Sequence, residues 1–124
     1  MNAPDRLDSV RVPLDKRKVS YEADTRVPNA GTFTLLREDH TLGHMLRMEL
    51  LRDPSVRFAG YKHPHPLDNH IELRVQVSSS SSSAPAAVRG AAERLTKEMQ
   101  LLQASFREQV RAAEDARRAA DEMA

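Results

Sequence analysis

The stretch Glu38-Asp39-His40-Thr41-Leu42-Gly43-His44-Met45-Leu46-Arg47-Met48-Glu49-Leu50-Leu51 decides how this chain folds. It leaves a strand end, turns through polar residues and becomes a helix with apolar side chains at Leu42, Met45, Leu46 and Leu50. That is the i, i+3, i+4, i+8 spacing of one helical face. Asp39 or Thr41 is placed to cap the first free amides, and Asp53-Pro54 stops the helix about three turns later. Gly43 is out of character, because glycine inside a helix costs about 1 kcal/mol relative to alanine. Its presence calls for a close approach that a side chain would block.

Before this helix, Phe33 and Leu35 mark a strand, and Val27-Pro28-Asn29-Ala30-Gly31 makes the turn that leads into it, since proline presets one dihedral and Asn or Gly accepts positive φ. Earlier still, Val19 and Tyr21 alternate with Lys18, Ser20 and Glu22, a short strand with one apolar face. Residues 1–15 are polar, contain two prolines and read as an extended tail.

After the helix, Val56, Phe58 and Gly60 alternate with Arg57, Ala59 and Tyr61 in a third strand. His63-Pro64-His65-Pro66 lacks two backbone donors and is a stiff connection. Ile71, Leu73, Val75 and Val77 then alternate strictly with Glu72, Arg74, Gln76 and Ser78, the signature of an antiparallel strand with one buried and one wet face. Ser78 to Ser83 is a low-complexity link. From Ala84 on, Val88, Ala91, Leu95, Met99, Leu102, Phe106 and Val110 recur every three or four residues, predicting one long amphipathic helix capped by Ser83 or its neighbours, with Pro85 in the first turn. Beyond Arg111 little remains to bury, and fraying is expected.

The expected architecture is therefore α+β in two layers: a roughly four-stranded, mostly antiparallel sheet covered on one face by two helices, the C-terminal one long. The parts are a tail (1–15), the sheet with the first helix and the serine link (16–83), and the long helix (84–124). The apolar stripe from Val88 to Val110 runs about 33 Å at 1.5 Å per residue, while a head of this size is about 30 Å across. The stripe matches or exceeds the whole head, and with no Trp, three Phe and two Tyr the core is thin. Both suggest a chain that finishes folding against another one, the alternative being that the helix packs wholly on its own sheet.

Composition narrows the function. A length of 124 residues, with 30% charged and 40% hydrophobic residues, describes one folded domain rather than a disordered chain. A net charge of +1 gives no electrostatic footprint for strong nucleic-acid binding. The lack of cysteine excludes disulfides and thiolate metal sites. No apolar run reaches the ~20 residues that span a bilayer, and no apolar signal core opens the chain, so an intracellular protein without membrane partners is expected.

The run EDHTLGHMLRMELLRDPSVRFAGYKHPHPLDN resembles the family of small alpha-like subunits of DNA-directed RNA polymerases. Its Asp39-His40-Thr41-Leu42-Gly43 core is similar to the motif shared by archaeal and eukaryotic members, while Glu38-Asp39 and Phe58-Ala59-Gly60-Tyr61-Lys62 look more like the polymerase II type. The resemblance is best from Asp24 to Val77. It implies a non-catalytic assembly subunit in the nucleus, an obligate heterodimer with the larger alpha-like subunit, and contact with the large catalytic subunits. The helix surfaces expected to cover the sheet or meet the partner carry Leu42, Met45, Leu46, Glu49, Leu50, Leu95, Met99, Leu102, Phe106 and Val110. His63, Pro64, His65, Pro66 and Leu67 form the loop expected at a large subunit. Members usually have Asn where this chain has His44. The alternatives are the equivalent subunit of polymerases I and III, or a free homodimeric helical module.

Catalytic chemistry finds no support. His40 and His44 stand four apart, as zinc-binding histidines on a helix do, but no glutamate adjoins them in the metalloprotease pattern, and His40 is expected before the first turn. No nucleophile has a base at a recognisable spacing, and no glycine-rich phosphate loop is present. No catalytic, cofactor or metal residue is expected.

Overall fold

The computed structural model describes residues 3–78 and 82–124 of the chain, which divides into two compact units, Met1–Ala92 and Glu93–Ala124. Four strands, β1 (Val19–Ala23), β2 (Ala30–Leu36), β3 (Val56–Lys62) and β4 (His70–Val77), form one antiparallel sheet in the order β1-β2-β4-β3. Helix α1 (His40–Leu51) joins β2 to β3, and α2 (Ala84–Glu122) follows β4. The fold is α+β, a four-stranded sheet with two helices, the second long, as the patterning predicts.

The alternation in β4 sets the core. Ile71, Leu73, Val75 and Val77 are almost fully buried, and the residues between them are half-exposed. Register places Leu35 beside Ile71 and Phe33 beside Leu73 on one side, and Ala59 beside Val75 on the other. Helix α1 packs over β3 and β4, burying Gly43, Leu46, Glu49 and Leu50. The opposite sheet face is polar, with ion pairs of Lys62 to Glu72 (3.4 Å) and Arg74 to Asp24 (2.7 Å).

The turn before β2 is made as expected, with Asn29 at φ 59°. One departure concerns β3. The register shifts between Val56 and Phe58, so Arg57 is an extra residue and the face parity inverts after it. Ala59 and Tyr61 join Val56 on the buried side, whereas Phe58 pairs with Gln76 on the polar side and stays half-exposed. Reading Val56, Phe58 and Gly60 as one face is thereby corrected, because a bulge leaves no trace in a period-two pattern.

In the tail, Arg6–Ser9 form a 3-10 turn capped by Asp5, whose carboxylate accepts from the Leu7 amide at 3.1 Å. The tail is tied down by polar contacts: Arg37 Nε donates to the Arg11 carbonyl (2.9 Å), and Asn69 Nδ2 to the Asp8 carbonyl (3.3 Å). Of the serine link, residues 79–81 lie outside the described residues. Ser83 serves as the cap of α2, its Oγ accepting from the Ala86 amide at 3.2 Å.

Candidate functional site

Asp39 is the N-cap of α1: its Oδ1 accepts from the Thr41 amide (3.0 Å) while its carbonyl accepts from the Gly43 amide (3.1 Å). His40 is the first helical residue, within the first turn and not before it as expected. Gly43 lies against Tyr61 of β3, and a Cβ there would stand 2.6 Å from Tyr61 Cδ2. Tyr61 Oη and His40 Nδ1 share a hydrogen bond of 2.9 Å, and the His40 and His63 rings meet edge to face. The Asp39–Gly43 motif thus sets the first turn of α1 down on β3. Thr41 is exposed and Leu42 half-buried.

The expected interface residues separate by burial. On α1, Leu46, Glu49 and Leu50 face inward at 5%, 6% and 0% exposure, and Leu42 and Met45 are half-buried. The Glu49 carboxylate is 3.5 Å from Arg52. Two residues that the single-stripe reading omits, Met48 and Leu51, are about half exposed. Their signal was present, since α1 is apolar on more than one face, but the stripe through Leu46 and Leu50 masked it.

On α2 the buried residues are Ala84, Ala87 and Ala91, all within the first unit, and Leu95 is half-buried. From Thr96 to the C-terminus every residue is exposed. Met99, Leu102, Phe106 and Val110 expose 47%, 65%, 69% and 38% of their surface, on one helical face by their spacing. Leu101 is also exposed. Burying a side chain of this size contributes about 1.5–3 kcal/mol.

The loop from His63 to Leu67 is exposed except for half-buried His63. It is held by its own polar groups: His63 Nε2 donates to the Asp68 carbonyl (2.7 Å), and the Leu67 amide donates to His65 Nδ1 (3.1 Å). Pro64 and Pro66 stiffen it, and Leu67 is 82% exposed. Among the described residues no group of three or more His, Asp or Glu could hold a metal ion, and no helix is long and apolar enough to cross a membrane. The amides of Val27 and Arg26 and then the Arg74 guanidinium hold the Asp24 pKa down to about 2.

The family model described as RNA polymerase Rpb3/Rpb11 dimerisation domain matches residues 30–105. A DNA-directed RNA polymerase II subunit rpb11 of Dictyostelium discoideum is 42% identical over 110 residues, covering 89% of this chain and 91% of that protein. A probable DNA-directed RNA polymerase II subunit RPB11 of Caenorhabditis elegans is 52% identical over 86 residues, 69% of this chain and 70% of that one. Among solved structures, DNA-directed RNA polymerase subunit L of Thermoplasma acidophilum matches with a TM-score of 0.64 at 25% identity, covering 80% of this chain and 96% of that chain.

Proposed function

The chain belongs to the RNA polymerase Rpb3/Rpb11 dimerisation-domain family, and from that premise we propose that it is a non-catalytic assembly subunit of RNA polymerase II which forms an obligate one-to-one heterodimer with the larger alpha-like subunit. The pair is the platform on which the two large catalytic subunits meet for DNA-templated mRNA synthesis, and the complex works in the nucleus. The polymerase II assignment is supported by the relatives, which carry that name.

The observation that carries the pairing is the uncovered row Met99, Leu102, Phe106 and Val110 on α2. A helix that keeps such a row in water lacks part of its fold, and obligate interfaces typically bury about 2,000 Å² or more and resemble a core cut in half. The partner covers this row with Leu95, and the outward sides of α1 at Leu42, Met45, Met48 and Leu51. Leu46, Glu49 and Leu50 act from within, holding α1 in place. The mechanism is burial, with no chemical step on this chain. The His63–Leu67 loop is assigned to a large subunit on its exposure and stiffness, which suit a rigid contact.

Size-exclusion chromatography with light scattering tests the reading, on the chain alone and co-expressed with the larger alpha-like subunit. A chain that self-associates alone and elutes one-to-one with the partner supports it. A stable monomer that ignores the partner overturns it, and co-purification with the large subunits of polymerase I or III reassigns the complex.

A further inference from the structure

The free edge of the sheet at β1 has a feature that the helix-mediated pairing leaves unused. Among the described residues β1 pairs with β2 alone. The Leu36 amide donates to the Lys18 carbonyl and the Asp24 amide to the Ala30 carbonyl, both at 2.9 Å. With the unbroken register Val19–Leu35 to Ala23–Gly31, the hydrogen-bonded pairs of this antiparallel ladder fall at Lys18, Ser20, Glu22 and Asp24. Val19, Tyr21 and Ala23 therefore direct their amides and carbonyls away from the sheet, into solvent.

All five residues of β1 are exposed. Natural edges are blunted by bulges, prolines or inward charges. The other edge strand, β3, carries a bulge at Arg57, whereas β1 has no bulge and no proline. On the core-facing side of the edge, Val19 and Tyr21 are 49% and 41% exposed. The Tyr21 ring is fixed there, 4.6 Å from the Phe33 ring centroid and so close over Gly31 that any side chain at that position would overlap it. On the other side, Ser20, Glu22, Thr32, Thr34 and Glu72 line a shallow hollow. Glu72 is engaged by Lys62 and His70, and Glu22 has no ion pair among the described residues.

We propose that the β1 edge is a docking site for an extended segment of a partner protein, added as a fifth strand, with apolar side chains beside Val19, Tyr21 and Ala23 and a basic side chain beside Glu22. The backbone supplies affinity through the three outward residues, and the two faces supply selectivity by demanding alternation of apolar and basic residues. This site is independent of the helix-mediated pairing.

The test is amide exchange and chemical-shift mapping of the full-length chain with a short synthetic peptide alternating valine and lysine. The Val19, Tyr21 and Ala23 amides slow by about tenfold or more at saturation, a shift of the size that one further hydrogen-bonded strand confers. The Glu22→Lys chain loses this protection, and so does a peptide with glutamate in place of lysine. Ala23→Pro removes an outward donor without breaking a bond to β2, and it abolishes binding while the β1–β2 cross-strand contacts persist. A peptide N-methylated at alternate amides fails on the unaltered protein, which keeps the test independent of how variants fold. The proposal is overturned if the peptide leaves the edge amides unprotected, if the N-methylated or glutamate peptide binds equally well, or if protection appears without peptide and rises with protein concentration, which makes a second copy the occupant.

Discussion

Gly43 on α1 and Tyr61 on β3 approach so closely that a methyl group on Gly43 would lie 2.6 Å from Tyr61 Cδ2 and 3.0 Å from Cγ. The Tyr61 ring cannot simply swing aside, since its hydroxyl is bonded to His40 in the first turn of the same helix. Alanine at position 43 would gain about 1 kcal/mol of helix propensity, but overpacking costs about 1–3 kcal/mol. Gly43→Ala should therefore lower stability in denaturant unfolding, and Gly43→Ala with Tyr61→Ala should show strong non-additivity.

Leu46 and Leu102 look alike in sequence and differ in burial, 5% against 65% exposed. Leu46→Asp places a carboxylate in the core at a cost of about 3–5 kcal/mol and should unfold the chain by circular dichroism. Leu102→Asp should change the stability of the isolated chain by no more than about 0.5 kcal/mol. On the pairing reading it should nevertheless weaken heterodimer formation by about 2 kcal/mol or more, measured by analytical ultracentrifugation.

The Asp24 carboxylate, held at about pKa 2 chiefly by the Val27 and Arg26 amides and then by Arg74, gives a signed pH dependence. Its folded pKa lies below the ordinary aspartate value of about 3.9. Its stabilisation is thus present above that value and lost as pH falls toward 2. Asp24→Asn should flatten this part of the stability profile. Arg74→Gln should raise the Asp24 pKa only in part, because the two backbone donors remain; carboxyl carbon NMR titration reads both.

Arg37 sits at φ 57°, in the left-handed region that costs a non-glycine residue about 1 kcal/mol. Its amide donates to the Asn69 carbonyl (2.6 Å) and its Nε to the Arg11 carbonyl (2.9 Å). Arg37→Gly relieves the backbone cost and releases the tail. The melting temperature should change little, while limited proteolysis near Arg11 should speed up.

The elements were legible because their signals are local. Strict alternation from Ile71 to Val77 announces a half-buried strand, Asp39 announces a helix start, and Ser83 another. Gly43 announced a close approach but not its partner, since Tyr61 is brought opposite only by the pairing of β3 with β4. The same limit hid the Arg57 bulge, which moves Phe58 to the polar face without altering any local preference. Asp24 and Arg74 are 2.7 Å apart and could not be paired from spacing, being joined across the sheet.

By itself, then, the sequence determined the order and kind of the elements, the family, and an apolar helix stripe about as long as the small head. These follow from periodicity and local backbone chemistry. Only the tertiary structure decided which apolar residues are core and which stay exposed. Leu46 and Leu50 are turned inward, Met48, Leu102 and Phe106 stay in water, and the amides of Val19, Tyr21 and Ala23 point off the sheet. Burial and the direction of a backbone bond depend on what the fold sets beside a residue, and neighbours far along the chain set that.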